Sequence, residues 1–261
     1  MKSLFLICIC SFLIINSNHL LSQVEEGENT KIPVIDKAEE PWELREDEED
    51  EEKKNEAHWA GFDIGFGILL NDKFSNEFED NVYWENEIGK SLTMSFNFFE
   101  YKIPIYRHFF GLTTGIGFGF SIFDLKDNYV LAHNADTVYA VNDPIQNYKT
   151  NYLSVVHFSI PLLLEFAAKK TSERSFYFSA GVVGSVRVGS SMTLKGKYDN
   201  GDKFNNQTIS KFQLNPFTVD GVVRTGYYHF GGFVAYNLLP LFKKDKTVPI
   251  HPIRFGLSYN F

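Results

Sequence analysis

The sequence predicts an all-β fold: a single eight-stranded antiparallel up-and-down transmembrane β-barrel with an N-terminal disordered arm. Three observations predict it. Apolar and polar residues alternate in about eight segments, the connections between those segments are alternately long and short, and the last segment, Ile253–Phe261, is itself an amphipathic strand. A period of two places successive side chains on opposite faces of a strand. Closing such strands into a barrel leaves no free edge.

The first 22 residues predict a signal peptide. Lys2 supplies a charged tip, and the apolar run between Leu4 and Ile15 is shorter than the ~20 residues that a membrane-spanning helix needs. We expect cleavage near Ser22. The two cysteines, Cys8 and Cys10, both lie in this segment, so the mature protein would have neither disulfides nor thiol chemistry.

Residues 23–56 predict an acidic, disordered periplasmic segment. Residues 24–56 hold fifteen Asp or Glu against five Lys or Arg, and they contain too few apolar residues to bury a core. The segment is either a solvated linker or arm, or an interaction segment for a basic partner or a cation. Residues 57–261 hold eighteen acids and nineteen bases, so the folded part is close to neutral and nucleic acid is an unlikely partner.

The barrel domain is predicted at residues 57–261, where most of the alternating runs contain glycine, which disfavours helix. The predicted strands are 59–69, 92–98, 110–122, 156–166, 176–188, 217–227, 232–238 and 252–261. The predicted long connections are about 71–90, 124–150 and 190–213; the short ones are about 100–108, 168–174 and 229–231, and 239–251 is of medium length. With the N-terminus on the short-turn side, the long connections fall on the opposite side, as in outer-membrane barrels with short periplasmic turns and long external loops.

Alternation alone also fits a soluble, lipocalin-like barrel with its aromatic residues inside. Three features favour the membrane. The polar face of 110–122 consists of glycine, serine and threonine, which suit a crowded interior better than a soluble surface, and several runs are long enough to cross the apolar layer. In addition, aromatic residues near strand ends predict interfacial girdles. These residues are Trp59, Tyr152, Tyr227, Tyr259 and Phe261.

Three segments, His58–Phe66, Tyr152–Phe166 and the Phe-terminated last strand, resemble the PorT-like outer-membrane β-barrel family of bacteria. The resemblance covers roughly residues 57–261, and its most specific element is Ile160–Phe166. It implies an eight-stranded antiparallel barrel, export through the Sec system, and recognition of Phe261 by the barrel assembly machinery. It implies no particular role, because members of such families look alike whatever they do.

Charged residues on the polar faces predict a charge network in the barrel lumen. Asp63, Glu165 and Asp220 would oppose Arg187, Arg224 and Arg254, with Arg254 next to Asp63 or Asp220. Unpaired charges in a low-dielectric interior are costly, so pairing is expected. The network would form a structural plug; the alternative is a gated ion path, although eight strands leave little room for water.

No catalytic, cofactor or metal site is predicted, and the protein is expected not to be an enzyme. His157, Ser159 and Glu165 share a strand face, but the first two would lie ~7 Å apart and the glutamate ~20 Å farther along. That spacing suits a hydrolytic triad poorly. The seven histidines show no spacing typical of metal ligands.

Three function classes follow from the sequence. The first is a non-catalytic structural or interaction protein that acts through its external loops and acidic arm. The second is a component of an envelope protein-secretion machine, and the third is a small-solute channel or a lipid-active enzyme. The expected partners are outer-membrane lipid, the barrel assembly machinery and, through residues 24–56, other envelope proteins.

Overall fold

The structure, a computed structural model, describes residues 57–107, 109–126, 128–134, 136–142, 147–167, 175–198 and 201–261. The predicted signal peptide and acidic arm lie outside these residues. The described strands are β1 (Gly61–Leu70), β2 (Leu92–Tyr106), β3 (Phe110–Asp124), β4 (Tyr129–His133), β5 (Val138–Asn142), β6 (Asn147–Ala167), β7 (Phe176–Lys197), β8 (Lys203–Ile209), β9 (Phe217–Tyr227), β10 (Phe230–Asn237) and β11 (His251–Asn260). Short 3-10 helical turns lie at Glu79–Trp84 and Ile88–Lys90.

Eight of these strands close a barrel. Each pairs antiparallel with the next in the ring order β1-β2-β3-β6-β7-β9-β10-β11, and β11 returns to β1 along a seam from Gly61 opposite Asn260 to Leu70 opposite His251. The prediction of an eight-stranded antiparallel up-and-down barrel is confirmed. Of the other strands, β8 pairs with β7 alone, and β4 pairs with β5 in a separate hairpin.

The outside of the barrel is apolar. Alternate residues of each wall strand point outward and remain exposed; in β6, for example, Ile160, Leu162, Leu164 and Phe166 are each about half exposed. Their neighbours Leu163 and Glu165 are buried inside. A soluble barrel would have the opposite arrangement, so this belt faces lipid. No helix among the described residues has the length and apolar character needed to cross a membrane.

The two ends of the barrel differ. At the short-turn end, the strands are joined by residues 107–109, 168–175 and 228–229, and β1 begins there. At the long-loop end, they are joined by residues 71–91, 125–146, 198–216 and 238–250. The predicted alternation of connection lengths therefore holds, but several predicted limits are wrong. β6 begins at Asn147 and β7 continues to Lys197, so these two strands rise beyond the wall of the barrel.

The predicted turn at about 100–108 is also wrong, because β2 continues to Tyr106. A bulge between Asn97 and Phe99 adds a residue to β2, so Phe98 and Phe99 both point outward. Beyond the bulge the alternation is shifted by one residue, and Lys102 points into the barrel.

The long-loop end carries an apolar core of its own, which we call the loop cap. Its buried side chains are Leu69, Phe78, Trp84, Phe123, Leu125, Leu131, Val138, Leu153, Val155, Met192, Phe212, Leu214, Leu241, Phe242 and Ile250. Trp84 is fully buried against Phe242, and its indole nitrogen donates to Thr247. The buried Asn86 ties the cap to the wall: it accepts from the Leu69 amide and donates to the Gly67 carbonyl. The loops therefore form a packed layer over one mouth of the barrel.

Candidate functional site: the barrel interior

The candidate site is the lumen, where charged and polar side chains from most wall strands meet. Buried charged residues there include Asp63, Lys102, Glu165, Asp220 and Arg224. No group of three or more His, Cys, Asp or Glu in the described parts of the chain is arranged to hold a metal ion.

Arg224 and Asp63 form a bidentate ion pair across the lumen. Nη1 and Nη2 of Arg224 donate to the two carboxylate oxygens at 2.9 and 2.8 Å, and both side chains are almost completely buried. Asn97 donates to the same carboxylate at 3.0 Å. The guanidinium also lies over the Trp59 ring, 5.2 Å from its centroid. Such a pair is stable only because each charge is fully compensated.

Glu165 is the centre of a second cluster, nearer the short-turn end. Lys102 Nζ donates to Oε1 at 2.8 Å, and Thr113 Oγ1 donates to Oε2 at 3.1 Å. His58 adds its backbone amide at 3.1 Å and its ring Nδ1 at 3.0 Å, and the ring is stacked on Tyr177. The sequence predicts an arginine opposite Glu165. The structure instead gives Glu165 a lysine and a histidine, neither of which belongs to the predicted charge network.

The remaining predicted charges differ in their partners. Arg254 Nη2 lies 2.5 Å from Asp220 Oδ2, so of the two expected partners the structure selects Asp220. The expectation of a carboxylate for Arg187 is wrong within the described residues: its guanidinium donates to the carbonyls of Leu214 and Asn215 and to Ser190 Oγ. Arg187 lies at the level where the loop cap begins, and loop carbonyls meet it there.

The segment before β1, Ala57–Trp59, folds into the lumen; we call it the entry segment. Glu100 accepts hydrogen bonds from the backbone amides of Trp59 and Ala60, at 2.8 and 2.6 Å. Trp59 is 4% exposed and packs with an inward-facing apolar cluster. That cluster consists of Leu163, Val183, Val222 and Ala235, with Phe233 at its margin. The prediction that Trp59 belongs to an interfacial girdle is therefore wrong.

Gly115 shows how closely the entry segment fits the wall. A Cβ atom at this position would lie 2.8 Å from Cδ1 of Trp59 and would also clash with the carbonyl of Phe99. Glycine on this inward face is needed because the indole ring approaches the backbone of β3. The small residues that predicted a crowded interior thus accommodate a specific side chain.

A cavity of about 50 Å³ lies in the middle of the lumen, bordered by Trp59, His157, Ser159 and the two arginine–aspartate pairs. Several polar atoms of its lining have no hydrogen-bond partner among the described residues, including His157 Nδ1 and Asp220 Oδ1. A cavity needs only about 10–15 Å³ of this volume to hold one water, so this cavity is large enough for a few water molecules. It is far smaller than the pore of a solute channel.

The interior does not assemble a hydrolytic triad from the three residues considered for it. Glu165 is held by Lys102 and His58, and His157 Nδ1 makes no hydrogen bond in the described chain. Nucleophilic catalysis needs an acid that orients the histidine, and a histidine that contacts the serine. His157 and Ser159 therefore act as polar lining of the cavity.

These features define a membrane β-barrel whose interior is occupied by its own side chains. Residues 60–243 match the family described as outer membrane protein beta-barrel domain, and the chain belongs to this family. Membership places it in the bacterial outer membrane. No curated protein and no solved structure matches the chain.

Proposed function

We propose that the protein is a closed, non-catalytic membrane anchor that acts through interactions made by its long-loop end and by its acidic N-terminal segment. One observation carries the proposal: both mouths of the barrel are filled by the chain itself. The loop cap covers one mouth, and the entry segment with the Glu165 cluster occupies the other. A barrel without a path through it works by what its surfaces bind.

Conductance measurements test whether the barrel is closed to ions and solutes. We expect planar bilayers containing the purified protein to show no stable nanosiemens openings, because an eight-stranded barrel packed with side chains leaves no aqueous path. A large trimeric porin in the same bilayer serves as the positive control. Stable openings of that size, from protein shown to be folded, would contradict the proposal.

We infer that the long-loop end faces the outside of the cell and that residues 23–56 lie in the periplasm. The support is the asymmetry of the connections, since short turns are periplasmic in outer-membrane barrels, and β1 starts at the short-turn end. Asn206→Cys, on the exposed strand β8, should react with a membrane-impermeant maleimide in intact cells. Asn55→Cys should react only after permeabilisation. The reverse pattern would refute the orientation.

The interaction role is tested by cross-linking in the native envelope, with and without residues 24–56. These residues carry a net charge of −10, so we expect any periplasmic partner to present a basic surface. A partner captured by the whole chain and lost on deletion supports the proposal. Identical capture by both chains would assign the interaction to the barrel or loops instead.

A second candidate is a component of an envelope protein-secretion machine. This candidate is favoured by the resemblance of Ile160–Phe166 to the PorT-like family. In the structure, Leu162 and Leu164 of this segment face lipid, and Glu165 points into the lumen, where Lys102 donates to it. Deleting the gene should then impair the secretion of exported proteins while other barrels still assemble. Intact secretion in the deletion strain would remove this candidate.

The last candidates, a small-solute channel or a lipid-active enzyme, have little support from the interior. The bilayer experiment decides the first. For the second, phospholipase and deacylase activities of the purified protein would be compared with those of Ser159→Ala. Activity that disappears in this variant would restore the enzyme hypothesis.

A further inference from the structure

Three lysines form a cluster where the sheet rises beyond the barrel at its long-loop end. In the β7–β8 ladder Lys197 lies directly opposite Lys203, and Lys195 lies opposite Asn205, two residues away. Directly opposite residues place their side chains on one face of the sheet, with Cβ atoms about 4.5–5.5 Å apart. Lys195, Lys197 and Lys203 therefore share one surface, which we call the lysine face.

The lysine face continues the lipid-facing side of the barrel. Lys195 is paired with Thr150 of β6, and alternate residues of β6 lead from there through Tyr152, Ser154 and Val156 down to Ile160 of the apolar belt. Alternate residues of one strand share a face. A lipid molecule lying against β6 and β7 would therefore have its headgroup below or beside these amines.

Within the described residues the lysine face forms no salt bridge, and the ammonium of Lys195 lies over the Tyr152 ring, 5.6 Å from its centroid. Three other lysines at the long-loop end, Lys73, Lys90 and Lys126, each contact a glutamate. By contrast, no carboxylate in the described residues lies within 4 Å of the amines of the lysine face. Like charges directly opposite one another destabilise a ladder. The arrangement is therefore suited to an anion supplied from outside the chain.

The height of the amines above the apolar belt indicates the kind of lipid. Ile209, which is 81% exposed and lies opposite Ser191, is the last apolar residue on this face of β8, and Lys195 follows Ser191 by four residues. Four residues span about 13 Å of strand, or roughly 10 Å along the membrane normal at the usual tilt. The headgroup layer of an ordinary bilayer is only about 5–8 Å thick on each side. The anionic groups must therefore stand farther out, as on a saccharide headgroup.

We propose that the lysine face binds phosphate groups on the saccharide headgroup of an outer-leaflet glycolipid. The proposal rests on the orientation inferred above, with the long-loop end outside.

The test measures lipid binding by the folded protein in detergent with native mass spectrometry. The probes are an acylated, diphosphorylated glucosamine disaccharide and its dephosphorylated counterpart. K195Q/K197Q/K203Q should bind the phosphorylated lipid roughly 10- to 100-fold more weakly than the unmodified protein. The matched control, K211Q/K243Q/K244Q, removes three exposed lysines from other loops of the same end. Its affinity for the phosphorylated lipid should stay within about twofold of that of the unmodified protein.

Three outcomes would overturn the proposal. The first is an equal loss of affinity for the phosphorylated lipid in both triple variants. The second is binding of the dephosphorylated lipid as tightly as the phosphorylated one. The third is competition by inorganic phosphate at the concentration of the lipid, which would indicate a free-phosphate site. Gel mobility before and after boiling shows whether each variant is folded. Labelling of Asn206→Cys only after permeabilisation would instead refute the orientation, and with it the outer-leaflet assignment.

Discussion

At the scale of single residues, the pair Arg224–Asp63 illustrates how the interior is stabilised. Both side chains are buried, and Asn97 and the Trp59 ring complete their surroundings. Neither charge can reach water if its partner is lost. The pair therefore makes each residue depend on the other more strongly than an exposed ion pair would.

Arg224→Met should lower the free energy of unfolding by about 3–5 kcal/mol, because it leaves the carboxylate of Asp63 buried and unpaired. Denaturant unfolding in lipid vesicles, followed by tryptophan fluorescence, measures the change. The double variant Asp63→Asn/Arg224→Met removes the orphaned charge and should recover part of the loss. An exposed control, Lys211→Met, should change stability by no more than about 0.5 kcal/mol. A single variant as stable as the unmodified protein would contradict this account.

Residue periodicity identified the inward face of most strands, but it missed Lys102 and His58. Lys102 lies beyond the bulge in β2, where one extra residue moves every later side chain to the opposite face. The adjacent pair Phe98-Phe99, followed by Tyr101, Ile103 and Ile105, was the available signal of that shift. His58 precedes β1 and belongs to no alternating run, so only the folded chain shows it against Glu165.

At the scale of elements, the entry segment is a short piece of irregular chain with a large structural role. Its three residues supply a ring stacked on Tyr177, two ligands of Glu165 and the indole of the inner apolar cluster. The length of an element therefore says little about how much it contributes to stability.

Removing residues 24–59 should destabilise the barrel by about 3–5 kcal/mol or more, since the loss of Trp59 leaves a cavity and Glu165 loses two hydrogen bonds. Removing only residues 24–56 is the matched control and should leave the unfolding midpoint nearly unchanged. Denaturant titration of both purified proteins in the same vesicles makes the comparison. Equal stability of the two deletions would show that the entry segment is not part of the folded structure.

The loop cap is the second element that periodicity alone could not predict. Its apolar side chains come from the upper ends of strands and from connections far apart in sequence, such as Phe78, Phe212 and Leu241. No strand period joins them. Strand β8 was also missed, because Asn205–Thr208 are all polar and show no alternation; every residue of this strand except Phe204 is exposed.

Trp84→Ala should loosen the loop cap while leaving the barrel wall closed. The indole is fully buried between Tyr83 and Phe242, and truncation of a buried tryptophan costs about 3–5 kcal/mol. Limited proteolysis should then cut the loops of the variant at protease concentrations that leave the unmodified protein intact. Tyr198→Ala, an exposed aromatic at the same end, is the control. Unchanged protease resistance would argue against a packed cap.

At the scale of the whole molecule, the antiparallel ring closed by the β1–β11 seam is the property that the sequence predicted best. Backbone groups in lipid must be paired within a closed sheet. This one requirement accounts for the alternating apolar residues, the length of the strands and the alternation of short and long connections. Lumen contents were less predictable because they depend on register between strands that are distant in sequence.

The intact barrel should migrate faster on SDS gels before boiling than after it, because a closed hydrogen-bonded sheet resists the detergent and remains compact. The seam has ten paired positions, from Gly61 opposite Asn260 to Leu70 opposite His251, so no weak edge is available for SDS to open. Densitometry of unboiled and boiled samples provides the measurement. Identical mobility, together with solubility in the absence of detergent, would contradict a membrane barrel.

Trp59 also affects whether β1 and β11 can separate and open the barrel wall toward the bilayer. The residue lies two positions before β1, yet it packs on Leu163, Val183, Val222 and Ala235, which belong to β6, β7, β9 and β10. The indole thus connects the first strand to the far side of the ring. Parting β1 from β11 toward the bilayer would have to draw an aromatic ring out of that far wall. The packing of Trp59 therefore opposes the opening of a lateral exit into the membrane at the seam.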